Sequence, residues 1–108
     1  MILNKKILDL LMNAQPLKKN YPMVDRFETE VEWDGDVELP SYEITVNIYL
    51  NDPEITHKNM YQKGFDPHWL VFRHLEKLLE KIGFDRREID QVYTKVYDVN
   101  GELISPYY

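Results

Sequence analysis

Residues 42–50, YEITVNIYL, and residues 66–84, DPHWLVFRHLEKLLEKIGF, set two different periodicities in one short chain. In the first, Tyr42, Ile44, Val46, Ile48 and Leu50 alternate with Glu43, Thr45, Asn47 and Tyr49, the pattern of a half-buried strand. In the second, Phe72, Leu75, Leu79 and Ile82 recur at helical spacing, with Val71 and Leu78 widening the stripe. Arg73, Glu76, Lys77, Glu80 and Lys81 form the opposite, wetted face, and His74 is placed with them. Asp66 suits an N-cap and Pro67 the first helical position. Gly83 suits the left-handed residue after the helix, and Phe84 the apolar contact that accompanies it.

Upstream, Met23 to Trp33 also alternates. Met23, Phe27, Val31 and Trp33 fall on one face, against Arg26, Glu28, Glu30 and Glu32. Asp34-Gly35 is a hairpin signal. A two-residue turn there pairs positions whose numbers sum to 69, so Phe27 faces Tyr42, Met23 faces Val46 and Arg26 faces Glu43. Val31 and Thr29 would then face Glu38 and Pro40, so an irregularity is expected near Leu39–Ser41. Before this, residues 3–14 read as a helix whose stripe is Leu3, Ile7, Leu10, Leu11 and Ala14. Asn4 would cap it and Pro16 stop it.

Downstream, Asp85 and Glu88 have capping-box spacing for a short turn over 86–91. Val92–Val99 reads as a third strand, Asn100-Gly101 as a turn and Glu102–Ile104 as a short fourth strand. The expected fold is a single α+β domain over 1–108 in the order α-β-β-α-β(-β). It is a two-layer sandwich, an antiparallel sheet of three or four strands with two helices on one face.

Between strand and helix lies Asn51 to Trp69, NDPEITHKNMYQKGFDPHW. Most connections run about 4–6 residues, and longer ones tend to carry function or disorder. Ile55, Met60, Tyr61 and Phe65 argue against disorder, and Asp52, Glu54, His57, Asp66 and His68 form a candidate polar cluster. His57, Asp52 and His68 would converge on a metal only if the loop folds back. His68 and His74 are six apart on one helix and point to different sides. No metal or cofactor is therefore expected. Ser41 and Ser105 each adjoin a proline outside any nucleophile-elbow setting, and the glycines are scattered at turns rather than gathered into a phosphate loop, so no catalytic residue is assigned.

The net charge of −6 excludes a general nucleic-acid binder and a surface drawn to anionic lipid, and suits a basic protein partner or simple solubility. With no cysteine there is no disulfide, thiol nucleophile or thiolate metal site, which fits a reducing interior. MILNKKILDLLMNA is interrupted by Asn4, Lys5, Lys6 and Asp9 and does not read as a signal peptide. No apolar run approaches a membrane span, so a soluble cytoplasmic protein is expected. Lysine in excess of arginine, with frequent Ile, Asn and Tyr, would fit an AT-rich bacterial or phage genome.

Eight tyrosines, two tryptophans and four phenylalanines are many for this length, and such rings are enriched at protein interfaces. The expected function is therefore that of a non-enzymatic interaction domain of accessory, inhibitor, immunity or virion-assembly type. Tyr49, His57, Tyr61, Phe65 and Trp69 are its candidate contacts, and a homodimer or larger closed oligomer is expected. The alternative is a small enzyme or metal-binding domain built on the polar cluster of residues 51–69. The acidic stripe Glu28, Glu30, Glu32 reads as a solvated sheet face that discourages aggregation.

Overall fold

The computed structural model describes residues 3–14, 19, 21–33, 41–62 and 65–106. Among these the chain forms helix α1 (Lys5–Met12), strands β1 (Val24–Trp33) and β2 (Tyr42–Leu50), and helix α2 (Pro67–Lys81). A 3-10 turn (Arg86–Glu88) and strands β3 (Ile89–Tyr97) and β4 (Leu103–Ser105) follow. The class is α+β, with a four-stranded mixed sheet in the order β1-β2-β3-β4.

The local signals act where they stand. The Asn4 side chain accepts from the Ile7 amide at 2.9 Å, and the Asp66 side chain accepts from the Trp69 amide at 3.2 Å with Pro67 opening the helix. At the far end of α2, Gly83 has φ of 75°. The Gly83 amide donates to the Glu80 carbonyl at 3.1 Å and the Phe84 amide to the Leu79 carbonyl at 2.9 Å, the two bonds of a Schellman ending. Buried Phe84 then meets Tyr42 edge-on, with ring centroids 5.7 Å apart.

The β1–β2 hairpin is antiparallel, but Phe27 lies opposite Ile48, Thr29 opposite Val46 and Trp33 opposite Tyr42. These numbers sum to 75, which corrects the expected 69. Arg26 faces Tyr49, not Glu43, and Glu43 lies opposite Glu32. The shift is even, so from Arg26 to Trp33 each side chain keeps its face while changing its neighbour. Between Trp33 and Tyr42, Asp34-Gly35 and residues 39–40 of the irregularity expected near Leu39–Ser41 lie outside the described residues, as does Pro16. A bulge lies between Val24 and Arg26, where Val24 rather than Met23 takes the buried position.

The expected all-antiparallel sheet is corrected at its centre, where β2 and β3 run parallel, Ile44 beside Val92 and Ile48 beside Val96. Parallel neighbours need a long crossover, and residues 51–88 with α2 supply it. Strand β3 accordingly begins at Ile89 rather than Val92. Strand β4 returns antiparallel along its C-terminal end, at Val96 and Tyr97.

Helix α1 is shorter than the expected 3–14, and its apolar stripe is rotated. Leu8 and Met12 are fully buried, Ile7 and Leu11 half-buried, and Leu10 is 69% exposed. The rotation follows from a polar stripe at Lys5, Asp9 and Asn13 that faces the outer edge of β1. The Asn13 amide accepts from the Phe27 N–H and donates to the Phe27 carbonyl, both at 2.8 Å. Asp9 Oδ1 accepts from the Thr29 N–H at 2.6 Å and from its hydroxyl at 2.8 Å. Lys5 Nζ donates to the Thr29 carbonyl at 3.0 Å and to Asp9 Oδ2 at 2.8 Å. The helix thus supplies to β1 the hydrogen bonds of a neighbouring strand. In α2, Leu70, Val71, Leu75 and Leu79 are buried, while Phe72, expected on the core stripe, is 49% exposed. His74, expected on the wetted face, is half-buried. Its Nε2 is buried without a hydrogen-bond partner among the described residues. Burial first, then nearby Lys77, holds its pKa below the ordinary imidazole range.

Two predictions follow from this packing. Leu79→Ala is expected to cost about 2–5 kcal/mol and Leu10→Ala under about 0.5 kcal/mol, read as urea midpoints. Equal shifts would refute the assigned phases of the two helices. Asp9→Ala should cost about 1–3 kcal/mol at neutral pH, because the fully buried Thr29 loses its acceptor. Burial opposes the charge on Asp9, but the hydrogen bonds from Lys5 and Thr29 outweigh it and hold the carboxyl below its ordinary range. A depressed folded pKa means that the contribution is complete above the unfolded value near about 4 and is lost as pH falls through the folded one. The stability gap between wild type and Asp9→Ala should therefore narrow in acid.

Candidate interaction surface

The long segment between β2 and α2 folds as a tucked lobe. Ile55, Met60 and Phe65 enter the core, Phe65 with no exposed surface. Turns hold the rest. Asp52 Oδ1 accepts from the Glu54 amide at 3.0 Å, and Asn59 accepts from the Thr56 amide and donates to the Glu54 carbonyl, each at 2.8 Å. The Met60 carbonyl accepts from the Phe65 amide at 2.9 Å.

The carboxylates and imidazoles expected to form a polar cluster are spread along this lobe. Asp52 closes a turn, Asp66 caps α2, Glu54 and His68 are exposed and His57 is half-buried. Among the described residues no three His, Asp or Glu side chains come together as a metal-ligand set. Of the expected contact residues, Tyr61 and Trp69 are more than half exposed. Phe65 is corrected to a core residue, because its ring plugs the lobe and offers nothing to a partner.

Tyr49 is committed to the open sheet face. Its ring stacks on Tyr97 at 4.9 Å and 13°, and the Arg26 guanidinium lies 4.0 Å from its centroid. These residues are register neighbours across β1, β2 and β3. Arg26 also pairs with Asp25 at 3.1 Å and Glu28 at 3.3 Å. Burial first, then Glu28 and Tyr97, pushes the Tyr49 phenol above its ordinary pKa. Both faces of its ring are engaged, so it supports the sheet rather than offering a contact.

Part of the remaining exposed apolar surface gathers between α2 and β3, while Leu10 and Trp33 are exposed elsewhere. Trp69 (57% exposed) and Phe72 project from α2 beside Val92 (39%) of β3. A continuous groove runs between helix and strand. A recess of about 280 Å³ lies at its Ile89 end, where Phe72, Leu75 and Ile89 meet the charged Glu76, Arg86 and Asp90. One of about 420 Å³ lies at its Thr94 end, where Asp66, His68 and Trp69 meet Thr94. Phe72 and Val92 line both. Guanidinium groups brace the rings, Arg73 5.7 Å from the Trp69 centroid and Arg86 4.9 Å from that of Phe72. Arg86 is fixed in turn by Glu76 at 2.6 Å.

Phe72 and Val92 were not legible as contacts in the sequence, although one signal pointed to Phe72. Trp69, Leu70, Val71 and Phe72 are four consecutive apolar residues on a helix, spanning more than one face can bury. No protein-family model matches the chain, and neither the curated proteins nor the solved structures contain a match to it.

Phe65→Ala should cost about 3–5 kcal/mol, whereas Tyr61→Ser should leave thermal stability within about 0.5 kcal/mol of wild type. Thermal unfolding of the two variants checks this, and a stable Phe65→Ala protein would show that the lobe is not part of the core.

Proposed function

We propose that this chain is a small acidic, non-enzymatic protein-interaction domain, of the kind that serves as an accessory, inhibitor, immunity or assembly protein in the cytoplasm. The observation that carries the reading is the braced aromatic groove between α2 and β3. Single exposed apolar residues are ordinary on a protein surface, but rings grouped along one groove mark a contact site. Trp69 and Phe72 have the residue type, exposure and central position of binding anchors, and the arginines and acids around them form a polar rim. Tyr61 of the 51–69 lobe, the other strongly exposed ring of the expected contact set, extends the aromatic surface. The net charge of −6 favours approach by a basic partner.

The test is affinity capture from the source cells with the tagged full chain and with a Trp69→Gln/Phe72→Gln double variant. Both positions are about half exposed, so the variant should keep its circular dichroism and melting temperature. The expected outcome is a stoichiometric bound protein that the double variant loses. A bound protein retained by a folded double variant would place the contact on another surface.

A further inference from the structure

We infer that the free edge of β3 pairs with the same edge of a second copy of this chain, antiparallel, about a two-fold axis through Val92. This rests on the interaction reading above and commits its groove to a second copy of the chain, in place of the basic partner that net charge alone favours.

The two edges of the sheet are treated differently. Along β1, Lys5, Asp9 and Asn13 of α1 occupy the backbone groups of Phe27 and Thr29, so no further strand can add there. Along β3, the pairing with β4 stops at Val96, and among the described residues nothing pairs with the outer edge of residues 89–95. That stretch is largely exposed, and its unpaired backbone groups are a template for another strand. Because among the described residues each copy has one open edge and one closed edge, head-to-tail growth through β1 is blocked. Pairing of like edges closes at two copies.

The open edge is also self-complementary. A two-fold normal to the sheet keeps both helix layers on one side, so residues set opposite each other have numbers with an even sum. Centring it on the free stretch puts Val92 against Val92, Gln91 against Tyr93, Asp90 against Thr94 and Ile89 against Lys95, with no like charges opposed. Helix α2 runs antiparallel to β3, with His68 and Trp69 near Thr94 and Arg86 near Ile89. The same axis therefore sets the Ile89 end of one groove, which holds Glu76, Arg86 and Asp90, beside the Asp66 end of the other. It also brings Phe72 and Val92 of both copies to the centre, where they are covered together.

Sedimentation equilibrium of the full chain at micromolar concentration is expected to give twice the 13.0 kDa chain mass. Val92→Lys and Val92→Glu each oppose like charges across the axis. Each alone should shift to the mass of one chain, and an equal mixture should regain the doubled mass. If a variant fails to fold, hydrogen exchange on the wild type reads the same contact. Amides within residues 89–95 should exchange about tenfold more slowly in concentrated than in dilute protein, while those of β1 do not change. A single-chain mass at every concentration overturns the inference. So does a doubled mass that folded Val92→Lys leaves intact, or one with no added protection in 89–95. A single-chain wild type whose captured partner is still lost from the Trp69→Gln/Phe72→Gln variant removes the second copy alone and leaves the interaction reading standing.

Discussion

The hydrogen bonds that α1 makes to the edge of β1 set the frame for everything else in the molecule. Backbone N–H and C=O groups withdrawn from water must be paired, and an edge strand has a full row of them without a neighbour. Here Asn13 meets both backbone groups of Phe27, and Asp9 and Lys5 meet those of Thr29. A spacing of four residues on the helix is matched to a spacing of two on the strand. Once these side chains are engaged, the rotation of α1 about its axis is determined. Leu8 and Met12 then fall onto the core, and Leu10 is left in water although it is as apolar as they are.

The opposite side of the sheet is governed by chain connectivity. Parallel pairing of β2 and β3 obliges the chain to cross from one end of the sheet to the other. The 51–69 lobe and α2 are that crossing. The lobe gives Ile55, Met60 and Phe65 to the core and uses its acids and asparagines to close turns. Its length follows from the crossing, and several of its polar side chains close its turns. The crossing also explains why the aromatic surface lies where it does. Helix α2 covers the sheet beside β3, and its apolar residues exceed what the core takes up, so Trp69 and Phe72 remain along the edge that β4 leaves uncovered.

The charges follow the same division. On the open sheet face, Arg26 sits among Asp25, Glu28 and the ring of Tyr49, which relieves part of the repulsion within the acidic stripe. In the groove, Arg73 and Arg86 lie over the exposed rings and Glu76 holds Arg86 in place. Such exposed ion pairs contribute little to stability. Their effect is positional: they hold planar groups against rings and keep the apolar strip framed by charge.

What the amino-acid sequence determined by itself is what depends on a few neighbouring residues. Asn4 and Asp66 cap their helices, Gly83 and Phe84 end α2, and the period of two in 42–50 assigns its side chains to two faces. Each of these rests on hydrogen bonds or directions within about one turn or one pleat. From Arg26 to Trp33 the faces survived where the pairing did not, because the register moved by an even number. What only the tertiary structure decided depends on partners distant in the chain. The register sum of 75, the parallel direction of β3, the phase of α1 and the outward turn of Phe72 are of this kind. So is the entry of Ile55, Met60 and Phe65 of the 51–69 segment into the core. Local propensity is nearly indifferent among these alternatives. The choice is made by which arrangement pairs the edge of β1, carries the chain across the sheet and buries the most apolar surface at once.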